Sequence, residues 1–424
     1  MRIDTQVVLD EVAARCPSSS ALLRDIREPL ADYARRVHAP GPTPASPLSA
    51  DARARFEGAV RGLPGVDSTS PLPVVQTGPH HRLALDDDYF STLAFSVLGC
   101  AAVGVRQNVM YTCATVTLEE QVRRGPAWLR VDGEPTRAFA VPRRTLAKRS
   151  VLLFDEPVEV AGELVERVGE LSDRAGLGLD PDVLAGERTV REHISVFNRQ
   201  VFDRLRDANE VSTAVLDEWF FADLLADALE SDSLLARLFA DGRILRAAHL
   251  LHAPAASPVR RLVPNSTELF WLNADGKVRP LRVEDGALRS PRYGTAVPFD
   301  LESIAAALRA RVLVPNLFLV FCLSSILPLI RAVGGVYQTV YHEVFTAAVT
   351  AILDGDRDDE WVLRQELGQA ALVAWGHNLI SRNLVGSDIA GARLPSWLGS
   401  APIAELSDDL SAFTCDELWA ELCG

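Results

Sequence analysis

Gln76-Thr77-Gly78-Pro79-His80-His81-Arg82 gathers two imidazoles, a guanidinium, an amide and a hydroxyl around one glycine turn. Imidazoles exchange protons near neutral pH, which makes His80 and His81 candidate acid–base groups. Gln76, Thr77 and Arg82 offer hydrogen bonds or charge to a ligand, and Gly78 lets a ligand approach the backbone. The plainer alternative is a Gly-Pro turn capped by one histidine. A second group comprises Gly334, Gly335, Gln338, Tyr341 and His342. Paired glycines ahead of a helix expose N–H groups suited to a carboxylate, and residues 338, 341 and 342 share one helix face. Close packing of a helix on a sheet would leave the same glycines. Cys113 is a nucleophile if His80 or His81 lowers its pKa, and an inert buried thiol otherwise.

Asp86, Asp87 and Asp88 oppose the partial positive charge of a helix start, so an amine-bearing ligand such as an amino acid suits this turn better than a phosphate, while a plain N-cap with exposed acids is the simpler reading for at least two of them. Other motifs fail. Asp354, Asp356 and Asp358 begin like a calcium loop, but Asp359 and Gln365 stand where glycine and glutamate are required. The run 175–179 lacks the strand and third glycine of a dinucleotide loop. No GxxxxGK, HExxH or metal-spaced Cys/His set occurs, so no metal is expected and no nucleotide motif is read. His249 and His252 read as structural. Trp375, Gly376, His377, Asn378 and Arg382 read either as a segment closing over a site or as part of an amphipathic tail.

These residues need a scaffold. Residues 71–76 form a short apolar strand, 77–79 a turn, 89–103 a helix capped by the three aspartates, and 108–117 a strand rich in β-branched and aromatic residues. Strand, helix and strand make a βαβ unit, hence a parallel sheet. Short strands are expected at 127–131 and 138–141. Residues 155–250 read as mostly helical, and 269–283 as a hairpin about Asp275-Gly276. Helices are expected at 301–312, 337–353 and from 361 onward. The fold class is α/β, a Rossmann-like parallel core with substantial helical additions at both ends. The organisation is an N-terminal helical segment (1–65), a core (66–345) with a helical insertion (155–250), and a C-terminal helical segment (346–424).

The chain has 424 residues, 48% hydrophobic and 24% charged, an ordinary globular balance. Its net charge of −14 disfavours nucleic acid, and the basic stretch Arg143, Arg144, Lys148 and Arg149 has no interleaved aromatics. The six cysteines form no CxxC pair, consistent with free thiols in a reducing compartment. With no export signal at the start, a cytoplasmic location is expected. Residues 312–330 lack charge, but Pro315, Asn316 and Pro328 favour a buried strand and helix over a membrane span.

Three stretches occur in an order that resembles the bacillithiol cysteine-adding enzymes. They are Val74-Val-Gln-Thr-Gly-Pro-His80; Thr267-Glu-Leu-Phe-Trp271 with Asp275-Gly276-Lys277 and Arg279; and Leu327-Pro328 with Ala332-Val-Gly-Gly335 and Tyr341. The resemblance spans residues 72–345. It implies a Rossmann-like core, a helical coiled-coil arm with homodimerisation through it, and a ligase-type condensation. The small-molecule substrates would be an amino acid, cysteine in the family, and an acceptor. ATP is compatible with that chemistry. Where the family carries an acidic–histidine–acidic cluster, this chain has Cys113-Ala-Thr-Val-Thr117. That departure leaves two alternatives open: a catalytically inactive homologue acting as a partner or scaffold, and a transferase using an activated donor.

Overall fold

Five short parallel strands build the centre of the molecule. The computed structural model describes residues 27–41, 43–120, 123, 125–252, 267–290, 294, 296–377, 379–380, 384 and 393–402. The helices expected before residue 27, Cys16, Cys415, Cys423, Asn378 and Arg382 lie outside the described residues.

Helices α1 (Leu30–His38) and α2 (Pro47–Arg61) precede β1 (Val74–Gln76). Helix α3 (Asp87–Ala102) leads to β2 (Gln107–Tyr111). Helix α4 (Val190–Asn209) leads to β3 (Ser212–Leu216), followed by α5 (Glu218–Leu229). Strand β4 (Arg331–Gly334) runs into α6 (Val336–Ile352), and β5 (Val373–Trp375) completes the set. The strand order is β5-β4-β1-β2-β3, and every pairing is parallel. The chain moves one way from β1 to β3, then returns to the other side of β1 for β4. Neighbouring loops therefore diverge at the carboxyl ends of β1 and β4, which is where parallel sheets hold ligands.

Alternation along the strands serves two cores. Val74, Met110, Val333 and Ala374 face Tyr33 of α1 and Phe90 and Phe95 of α3. Val75, Val109, Tyr111 and Ala332 face Phe56 of α2, Phe221 of α5 and Phe345 of α6. A parallel sheet covered on both faces buries both sides of its strands; β2 is buried at all five positions, and its polar Gln107 and Asn108 hydrogen-bond to Ser212 and Thr213.

Large insertions separate the strands. Between β2 and β3 lie the hairpin Trp128–Val131 with Glu134–Arg137, the helix Gly162–Ala175, and α4. Between β3 and β4 an antiparallel trio joins Phe270–Ala274, Lys277–Pro280 and Leu313–Pro315, and a second trio follows between residues 282 and 298. The uncharged run forms the strand Leu313–Pro315, the helix Leu317–Phe321 and a π turn at Cys322–Ile326. Among the described residues, no helix is long and apolar enough to cross a membrane.

Three readings change. The stretch 155–250 contains β3, because Glu210 adopts the left-handed conformation (φ 58°) that ends α4 where glycine would be usual. The segment beyond residue 361 contains β5, three residues set between the helix Asp358–Gln369 and Gly376. The second of the two short strands expected here lies at Glu134–Arg137 rather than 138–141, and it pairs with Trp128–Val131 through the left-handed residues Asp132 and Gly133.

Phe95 lies between Tyr33 (ring centroids 5.8 Å) and His38 (5.7 Å), completely buried. Phe95→Ala is expected to cost about 3–5 kcal/mol, read as a lower urea midpoint at unchanged slope.

Candidate functional site

The ends of β1 and β4 are locked together by side chains. Gln76 is buried; its Oε1 accepts from the N–H groups of Thr77 (3.0 Å) and Gly78 (3.2 Å), and its Nε2 donates to Ser96 Oγ (3.0 Å). Thr77 N–H donates to Val333 O (2.7 Å), and Gln338 Nε2 donates to Thr77 Oγ1. The Gln338 side chain fills the space above Gly334 that a β-carbon would occupy. These groups knit β1 to α3 and to the start of α6, so they shape the site's floor. The stretches around residues 78 and 334 are brought together.

His80 and His81 are driven apart. His80 forms an isolated parallel bridge with Cys113: His81 N–H donates to Cys113 O (2.9 Å), and Cys113 N–H donates to Pro79 O (3.3 Å). Successive side chains of an extended segment point to opposite sides. His80 lines a cleft of about 460 Å³ together with Pro79, Arg82, Asp88, Tyr89, Glu120, Arg130 and His377. His81 faces a different cavity.

The cleft is edged by both signs of charge. Asp86, fully buried, caps α3 through Asp88 N–H (3.3 Å) and accepts from Arg130 N–H (3.1 Å) and Arg82 Nη1 (3.0 Å). Burial pushes its pKa up against the pull of Arg82. Asp88 pairs with Arg130; burial opposes its ionisation, but Arg130 and Arg82 hold its pKa below the usual carboxylate value. Asn198 accepts from Ala84 N–H (2.7 Å) and donates to Arg82 O (2.8 Å), which fixes the loop carrying Arg82.

Two imidazoles present a nitrogen to this space. His80 Nδ1 meets Glu120 Oε2 at 3.1 Å, leaving Nε2 without a partner among the described residues. Glu120 is held below its usual pKa: burial would raise it, but the hydrogen bond and charge of His80, with Arg82, prevail. Thr92 Oγ1 donates to Asp88 O (2.8 Å), so its 2.7 Å contact with His377 Nδ1 takes the imidazole proton. Burial holds the His377 pKa down at about 4, so the ring is neutral with Nε2 as an acceptor. His377 sits against both glycine turns: a β-carbon on Gly78 would overlap its Cβ, and one on Gly335 would lie 3.6 Å from its Cδ2. Tyr89 Oη and Arg130 Nε are buried without a hydrogen-bond partner among the described residues.

Tyr89, Glu120 and Arg130 were absent from the sequence candidates, and His377 was left between a lid and a tail. The triple aspartate was the available signal for Arg130, since a buried carboxylate requires a cation or donors. The remaining candidates lie elsewhere. Cys113 sits beside Glu218 (Sγ to Oε1 3.4 Å), and burial with that carboxylate pushes its thiol pKa up, away from thiolate formation. Glu218 also accepts from Ala114 N–H (3.0 Å) and Thr115 N–H (3.0 Å). His342 bonds Ser325 Oγ through Nε2 (2.9 Å), with its pKa pushed down to about 3 by burial. Tyr341 packs on Phe321 (5.9 Å) and Phe345 (5.5 Å). Among the described residues, no cluster of three or more His, Cys, Asp or Glu side chains suits a metal ion.

Two outcomes follow from this packing. Gly78→Ala must displace His377 and is expected to cost about 1–3 kcal/mol, with loss of the Thr92–His377 contact by NMR. Burial holds His38, His81 and His377 near pKa 4 and His342 near 3. Released on unfolding, each recovers a value of about 6.5. Their contribution to stability is full above about pH 6.5 and is lost as pH falls toward 4. Asp87, pushed up to about 6 by burial, works in the opposite sense. Urea unfolding should lose on the order of 1 kcal/mol or more per histidine between pH 7.5 and 5; a flat profile would contradict their neutral burial. No protein-family model matches the chain and no curated protein matches it in sequence, so the chemistry of the cleft rests on its own side chains.

Proposed function

We propose that the cleft binds an amino acid and joins it to a small acceptor, forming a C–N bond. The carrying observation is the convergence of two carboxylates, two guanidiniums and two imidazoles on one cavity of about 460 Å³. A zwitterion needs an anion for its ammonium and a cation for its carboxylate. Glu120 and Asp88 supply the first; Arg82 and Arg130 supply the second. Tyr89 Oη and Arg130 Nε, without a partner among the described residues, fit a bound carboxylate, because buried polar atoms ordinarily have a partner.

His80 is the proton acceptor in this reading. Glu120 fixes its Nδ1–H, so Nε2 takes a proton from the ammonium and frees the amine lone pair for attack on an acceptor carbonyl carbon. His377 Nε2 accepts a hydrogen bond from the same nitrogen. A carboxylate acceptor requires activation by a nucleoside triphosphate, whose phosphate leaves with the displaced oxygen.

The all-parallel strand order β3-β2-β1-β4-β5 is consistent with a Rossmann-like core, which supports placing the substrates at the divergence between β1 and β4. The same placement agrees with the resemblance to cysteine-adding enzymes, and cysteine is the first amino acid to supply.

Incubation of the protein with cysteine and other amino acids, a cell extract of small acceptors, and ATP present or absent should consume one amino acid and yield a condensed mass. His80→Gln is expected to slow product formation about 100-fold or more, with less effect on amino-acid binding. Consumption of no amino acid under either condition would end this reading.

A further inference from the structure

His81 opens onto a second cavity, of about 500 Å³, that runs along the outer edge of β3. Its walls are one side of α4 (Arg191, Ser195, Arg199, Phe202 and Arg206), the turn Leu63-Pro64-Gly65, and residues 212–215 of β3. Strand β3 ends the sheet. Ser212 N–H donates back to Arg106 O (2.9 Å) and Leu216 O accepts from Thr112 N–H (2.9 Å). Thr213 and Val215 therefore turn their main-chain groups the other way, toward this cavity.

Three observations point to a ligand. His81 is 5% exposed, and its Nε2 has no hydrogen-bond partner among the described residues. Such an atom is costly to leave unpaired. The 2.8 Å contact between Thr112 Oγ1 and His81 Nδ1 occupies that ring nitrogen, leaving Nε2 as the ring atom with hydrogen-bonding capacity to offer. Next, the guanidiniums differ in their engagement. Arg191 Nε is held by Asp217 (2.8 Å) and Arg206 Nη1 by Asp203 (2.8 Å), whereas Arg199 has no carboxylate partner among the described residues. Lastly, Leu63, Pro64 and Phe202 give the cavity apolar walls between these polar ends.

We propose that this cavity is a second binding site, for a small organic anion carrying a hydroxyl. Its acid group pairs with Arg199, its hydrocarbon body lies against Phe202 and Leu63, and its hydroxyl hydrogen-bonds His81 Nε2. The site is separate from the His80 cleft and does not depend on the condensation chemistry.

Histidine NMR on the full chain tests it, with His81 assigned through His81→Gln. The probes are 4-hydroxybenzoate and glycerol 3-phosphate, which combine an acid with a hydroxyl; benzoate and phenol each lack one element. Saturable movement of the His81 signals by a complete probe supports the site, and the probe that succeeds identifies the head group as carboxylate or phosphate. Arg199→Ala, which removes an exposed side chain, should weaken that binding about tenfold or more. The proposal is overturned if neither complete probe moves His81, if Arg199→Ala binds as tightly as the parent, or if phenol binds as tightly as 4-hydroxybenzoate. Movement of only the Thr213 and Val215 amides, by an extended acidic peptide, would overturn it in favour of strand addition at β3.

Discussion

A carboxylate taken out of water must find its hydrogen bonds within the protein, and two such groups organise the ligand-facing end of the sheet. Asp86 is enclosed by the start of α3, the hairpin residue Arg130 and the loop residue Arg82. Glu218 draws in the backbone of Ala114 and Thr115 and the hydroxyl of Tyr111. Each anion gathers donors from segments far apart in sequence, so the loops after β1 and β2 have little freedom in where they run. The cleft around His80 is the space left between the chains so gathered.

That arrangement divides labour by depth. Gln76 is spent on its own turn and on Ser96 of α3, and Thr77 and Gln338 bond each other between β1 and α6. The groups with unused capacity lie one layer out: His80 Nε2, His377 Nε2, Tyr89 Oη and Arg130 Nε. Polar residues nearest a sheet end often serve the sheet, and residues carried on the surrounding loops serve the ligand.

The βαβ unit from β1 to β2 was legible because every signal agreed: an apolar strand, a glycine turn, an acidic cap and an apolar helix of the right length. The hairpin at Asp275-Gly276 was legible for the same reason, with both residues in the left-handed conformation such a turn requires. Strands β3 and β5 were not. One follows a 20-residue helix with no glycine or proline between them, and the other is three residues long, too short for period-two alternation to register. The cleft was half legible. His80 and Arg82 stand in the turn itself, but Glu120, Arg130 and His377 come from an insertion and from the far side of the sheet. No spacing rule links residues 80 and 377; only the strand order does.

The opposed orientation of two adjacent imidazoles has a consequence for how this chain can change over evolutionary time. Each side chain owes its destination to whether its position is odd or even in the count from the end of β1. Replacing Pro79 or Gly78 alters local fit, but inserting or deleting one residue there would send the ring that belongs in one chamber into the other. Homologues that keep both chambers should therefore preserve the length of this connection more strictly than its composition.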